Sequence, residues 1–238
     1  MYTTRVDRPR ALRPRHTVQN QWDLLEPLGI PRPAPGTHPA EFVPDAAAAV
    51  AVEAWLRRVG AGPEHRLVVV HVGARTGFRR WPPERFAETV DGIARADART
   101  RFAVIAGPGE DTAQRVVADA RNRMPLSLRS AVFDPRTWTL DEIHALASRA
   151  ALYIGCDTGP VHIAGTTNVP IVALYGPTLP ETWAPWRAAG PVTIPLAVQG
   201  LPCRPCDQRV CEPGDFRCLN WIRPEEVLEA AIKCLRTP

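Results

Sequence analysis

Lysine is nearly missing from this chain. Of its 29 lysine and arginine residues only Lys233 is a lysine, so its cationic chemistry is guanidinium chemistry. A planar guanidinium fork suits phosphates, but a GC-rich codon bias yields the same excess. No basic run is interleaved with aromatics as a single-strand groove requires. The formal charge of +4 is mild, and nucleic-acid binding is not inferred. No run of about eighteen apolar residues occurs, so no transmembrane helix is expected. Arginines stand at 5, 8, 10, 13 and 15 with no apolar stretch behind them, unlike a secretory leader. A cytoplasmic location is the expectation. In that reducing setting the cysteines are not read as a disulfide framework.

What remains is ordinary globular composition, 45% hydrophobic and 23% charged. Residues 1–40 are rich in Pro and Arg, with an amphipathic patch at Trp22, Leu24, Leu25 and Leu28 that suggests a short helix over 17–28. PRPAPGTHP (31–39) reads as a linker. Residues 45–59 carry apolar positions at helical spacing. Apolar runs at 67–70, 102–106, 152–155 and 171–175 read as strands buried on both faces, as in a parallel sheet. Helices are expected between and around them at 82–96, 111–123, 139–149, 158–167 and 223–235, with a weak strand near 126–133. Thr139 and Glu142 form a capping-box pattern. The alternation implies an α/β fold: a Rossmann-like parallel sheet with helices on both faces and right-handed crossovers.

Ligands of such sheets sit beyond the carboxyl ends of the strands. Three loops leave those ends. CDTGPVH (156–162) offers Asp157 or Thr158 as a helix cap, Gly159 for close approach of a ligand, and Pro160 where no N–H is needed. Free N–H groups near Thr158 and Gly159 would then face an anion, with His162 about one turn on. A capped helix with a buried, satisfied histidine fits the same spacing. HVGARTGFRRW (71–81) supplies Gly73, Arg75, Arg79 and Arg80, which suit a diphosphate or a solvated loop; Trp81 reads as packing. GPGED (107–111) offers Glu110 or Asp111 for ribose hydroxyls, or merely an acid complementing a helix dipole.

Together HVGARTGFRRWPPERFAE, FAVIAGPGED and YIGCDTGPVHIAGTTNVPIVALYGPTLPETWAPW resemble the ADP-heptose:lipopolysaccharide heptosyltransferases of glycosyltransferase family 9, over about residues 66–235. The tail LPCRPCDQRVCEPGDFRCLNWIRPEEVLEAA resembles a cysteine-bearing end common in that family. The resemblance implies the C-terminal half of a GT-B glycosyltransferase: 41–238 as donor-binding domain, with a Cys-rich loop at 201–219 and a C-terminal helix. It makes 1–40 the remnant of an N-terminal acceptor domain plus linker, with 16–30 as that domain's closing part.

It implies inverting transfer of heptose from ADP-heptose to a lipid-linked lipopolysaccharide core acceptor, without a metal, with transient contact at the inner membrane face. By resemblance Asp157, Thr158 and Gly159 hold the diphosphate and sugar, and His162 reaches the phosphate or heptose. Arg79 stands where the family often has a lysine. Gly73 and Ala74 bring main chain to the phosphates, Glu110 takes the ribose hydroxyls, and Leu140 lines the adenine slot. The family's general base, an aspartate near its N-terminus, has no counterpart here; Asp7 lies among Pro and Arg without a strand or glycine loop. The alternatives are a non-catalytic ADP-sugar-binding module and a subunit completed by a separate acceptor domain.

Cys203, Cys206, Cys211 and Cys218 have enough thiols for a tetrahedral structural zinc site, though only the first pair is tightly spaced. Free buried thiols or a disulfide fit as well.

Overall fold

The computed structural model describes residues 5–6, 15–34, 36–190 and 192–236. The Pro- and Arg-rich start, with Asp7, lies almost wholly outside them. Its helices are α1 (Thr17–Trp22), α2 (Ala46–Arg58), α3 (Pro83–Ala96), α4 (Thr112–Arg123), α5 (Leu140–Arg149), α6 (Gly159–Ala164), α7 (Pro180–Trp183), α8 (Arg217–Asn220) and α9 (Pro224–Arg236). The strands are β1 (Arg66–His71), β2 (Thr100–Ile105), β3 (Leu152–Cys156), β4 (Ile171–Leu174) and β5 (Thr193–Leu196).

All strand pairs are parallel, in the order β2-β1-β3-β4-β5. The apolar runs form strands because side chains on both pleat faces find a helical layer. Val68 and Val70 point into a core shared with α3, α4 and α9. Leu67 and Val69 point into a second core with α2 and α5, where Trp55, Phe133 and Trp138 meet edge to face. Burying such side chains contributes roughly 1.5–3 kcal/mol each. α5 opens on the expected capping box, with Thr139 and Glu142 bonding each other's main chain.

Two expectations need correction, and one strand is additional. The segment 126–133 forms a 3-10 helix, Leu126–Ala131, and pairs with the sheet through one isolated bridge, Phe102 to Val132. Pro125 starts it, and Leu126 is exposed, so no strand pairing pays back the extended form. The helix expected over 17–28 stops at Trp22, and a short 3-10 turn, Glu26–Leu28, follows because Pro27 cannot continue the ladder. β5 was not foreseen: it is an edge strand, half-buried, with Pro195 in its middle.

The stretch from His16 to Ala40 is held against the turn after α7. His16 Nε2 lies 2.7 Å from the Ala184 carbonyl, Trp186 Nε1 donates to His38 O at 2.6 Å, and Ala40 N–H donates to Trp186 O at 2.8 Å.

Candidate functional site

β1 sends its connection to β2 on one side, while β3 lies on its other side, so the strand order reverses at β1. Crevices in open parallel sheets form at such a reversal, beyond the carboxyl ends of the strands. Here that crevice is a cleft of about 880 Å³. It gathers Gly73, Ala74, Arg75 and Arg79 after β1, Glu110 after β2, Leu140 at the start of α5, and Thr158 and Gly159 after β3. Residues far apart in sequence thus share one wall because their strands are parallel and end level with one another.

Gly73 and Gly107 are there for lack of a side chain. A Cβ on Gly73 would stand 2.8 Å from Gly107 N and 2.9 Å from Glu110 Oε2. A Cβ on Gly107 would stand 2.9 Å from Glu110 Oε1. The Glu110 carboxylate therefore lies between two glycines, and its buried Oε2 has no hydrogen-bond partner. An unsatisfied buried acceptor costs on the order of 1–3 kcal/mol, while the rest of the half-buried side chain lines the cleft. Asp111 instead sits at the N-cap of α4, away from this cleft, and its side chain makes no cap bond.

Arg79 Nη1 donates to the Asp157 carbonyl at 3.0 Å and Nε donates to Gln208 Oε1 at 2.9 Å. The guanidinium is thereby oriented on two edges. Arg80 turns away and donates to Ala74 O at 2.8 Å, bracing the glycine loop. Trp81 is packing, as expected: it is buried, stacks edge to face on Phe86 and donates to Ile222 O at 3.1 Å. Trp138, Leu140 and Ile143 give the cleft an apolar wall, and Leu140 is 54% exposed there.

Asp157 and His162 do not line the cleft. Asp157 is 2% exposed. Its Oδ2 accepts from Thr178 Oγ1 at 2.6 Å and stands 3.7 Å from Arg79 Nη1, and its Oδ1 is 3.3 Å from His162 Nε2. Thr158 is the N-cap of α6 by position, but its hydroxyl makes no cap bond. It returns to Cys156 O at 3.3 Å and lies 3.4 Å from His71 Nδ1. α6 itself runs only from Gly159 to Ala164, shorter than the helix expected over 158–167, so its dipole is slight.

His71, at the end of β1, is a cleft residue that sequence reasoning missed. Burial pushes its pKa down to about 4, so it is a neutral imidazole at physiological pH. The available signal was a histidine ending an otherwise apolar strand. Gln208 was missed as well, and nothing local marks it.

The four clustered cysteines line a separate cavity of about 320 Å³, beside Phe78 and Arg217. All are free thiols, so the disulfide alternative does not hold in this structure. Among the described residues no three His, Cys, Asp or Glu side chains are placed to hold a metal ion, so the thiols as arranged do not form a zinc ligand set. Burial raises the Cys218 pKa, and its three neighbouring thiols add to the rise. Among the described residues no helix is long and apolar enough to cross a membrane.

Known proteins share this fold. A family 9 glycosyl transferase from Veillonella parvula superposes with a TM-score of 0.76 at 25% identity, over 98% of this chain and 62% of its own. The Escherichia coli heptosyltransferase WaaC, solved with ADP, superposes with a TM-score of 0.56 at 15% identity, over 90% of this chain and 55% of its own. That likeness shows the fold, the α/β half of a GT-B enzyme. In sequence, lipopolysaccharide heptosyltransferase 3 of Escherichia coli K12 is 28% identical over 175 residues, 72% of this chain and 47% of that protein. Lipooligosaccharide heptosyltransferase 2 of Campylobacter jejuni is 36% identical over 87 residues, 37% of this chain and 26% of its own. The chain thus spans about half the length of such relatives or less. Because the sequence pattern of glycosyltransferase family 9 (heptosyltransferase) runs through residues 2–214, the chain belongs to that family.

Proposed function

We propose that the cleft holds the ADP portion of ADP-heptose, and that this chain supplies the donor-binding half of an inverting heptosyltransferase for the lipopolysaccharide core. The observation that carries this reading is that one cleft gathers Glu110, Arg79 and an apolar wall of Trp138, Leu140 and Ile143. A ribose supplies the hydroxyl donor, a diphosphate the partner for the guanidinium, and adenine the flat body for Trp138, Leu140 and Ile143. Related proteins named for heptose transfer, and a solved one obtained with ADP, accord with it.

In this scheme a base removes the proton of the acceptor hydroxyl. The acceptor oxygen bonds to the anomeric carbon as the bond from that carbon to the β-phosphate oxygen breaks, and ADP leaves with the electron pair. The negative charge that develops on ADP is met by Arg79 and by main-chain N–H groups near Thr158 and Gly159, in a metal-free scheme. His71 lines the cleft as a neutral imidazole and adds no charge to it. Asp157 acts through Arg79, and His162 through Asp157. The base belongs to the acceptor side of the family fold, and the lipid-linked acceptor places the reaction at the inner membrane face.

The test is a transfer assay with ADP-heptose and core acceptor, run with the chain alone and with the N-terminal half of a family 9 enzyme supplied. Transfer by the chain alone makes it an enzyme as it stands. Transfer only with the supplied half makes it a donor-binding subunit. Donor binding without transfer in either arm makes it a binding module. Absence of any ADP or ADP-heptose binding overturns the proposal.

A further inference from the structure

Among the described residues only two that are not glycine have a left-handed backbone, Gln208 at φ 61° and Phe216 at φ 49°. Neither residue type favours that region, and such conformations persist only where surrounding contacts impose them. Both lie in the irregular loop between β5 and α8, and both close on adjacent residues of one turn. The Phe216 ring meets Phe78 edge to face at 5.2 Å between centroids. The Gln208 amide oxygen accepts from Arg79 Nε at 2.9 Å. Asp207 and Arg209 on either side are exposed and pair with each other, so Gln208 alone turns inward, to the cleft.

Arg79 has few anchors. Its Nη1 reaches the Asp157 carbonyl, and the Asp157 carboxylate is more distant at 3.7 Å. Without Gln208 the Nε edge would be free, and the guanidinium could rotate away from the cleft about its long side chain. A neutral amide oxygen fixes that edge without cancelling the charge, as a carboxylate there would.

We infer that Gln208 is a positioning residue for the leaving group: it clamps Arg79 so that the guanidinium faces the diphosphate. This rests on the ADP reading of the cleft. It gives the cysteine-bearing loop a role in the site, since the loop's strained backbone is what delivers Gln208 to Arg79.

The experiment is a calorimetric double-mutant cycle of Gln208→Gly and Arg79→Ala, with ADP and with adenosine as ligands. Glycine adopts the left-handed backbone without steric cost, and thermal melts report that the variant is folded. Gln208→Asn serves as a second variant, because asparagine tolerates that backbone but falls one methylene short of Arg79. The expected result is an ADP affinity about tenfold weaker in either Gln208 variant, as for loss of a hydrogen bond to a charged group. Adenosine affinity should not change, and Gln208→Gly should add no further loss in the Arg79→Ala background. Equal weakening of ADP and adenosine, or additive losses in the cycle, would mean a general structural role and overturn the inference. Wild-type ADP affinity in both Gln208 variants would overturn it while leaving the ADP reading intact. Failure of the wild type itself to bind ADP would remove both.

Discussion

The Thr178 hydroxyl donates to Asp157 Oδ2 at 2.6 Å, and both residues are buried. The bond ties the loop after β4 to the loop after β3. It also fixes the main chain of Asp157, whose carbonyl orients Arg79. A carboxylate that is only 2% exposed needs such donors, because burying it without them is costly.

Thr178→Val keeps the shape of the side chain and removes the donor. It should destabilise the protein by about 1–3 kcal/mol, the cost of an acceptor left unsatisfied. Urea unfolding of the variant and wild type measures this. A midpoint equal to the wild type's, at equal slope, would show that Asp157 does not depend on Thr178.

Stability should fall with acid through His71. Its pKa is lowered from 6.5 to about 4 in the folded state by burial. The unfolded chain therefore binds the proton first, and stability drops as pH falls from about 6.5 to about 4, then levels for this group. The drop attributable to it is on the order of 3 kcal/mol. Unfolding free energies of wild type and His71→Gln across that range test the point. A difference between them that does not narrow with acid would place the imidazole in a wetter setting than the structure shows.

Glu110→Gln should weaken ADP binding about tenfold, because an amide accepts less strongly from hydroxyls than a carboxylate does. The loss should vanish with 2′,3′-dideoxy-ADP, which has no hydroxyls to donate. Equal losses for both nucleotides in competition titrations would separate Glu110 from the ribose.

The first four strands were legible because each is a short, doubly apolar run, and parallel order follows from the helices between them. β5 was not, because an edge strand with Pro195 at its centre has neither signal. The 126–133 segment misled because its apolar residues pack from a 3-10 turn instead of a ladder. In the site, glycines and polar or charged residues at strand ends pointed to Gly73, Arg79, Glu110, Thr158 and Gly159, and the family resemblance added Ala74 and Leu140; the cleft gathers them all. The sequence could not reveal that Asp157 and His162 stand outside the lining: Asp157 is buried against Thr178 of the loop after β4, and His162 pairs with Asp157. Gln208 pairs with a residue 129 positions away, and only the fold brings them together.

A crystal structure of this chain with ADP is the most direct test of the central claim. The account predicts phosphate oxygens within hydrogen-bond reach of Arg79 and of the main chain near Thr158 and Gly159, and ribose hydroxyls on Glu110. Nucleotide bound elsewhere on the chain, with Glu110 Oε2 still unpartnered, would contradict it.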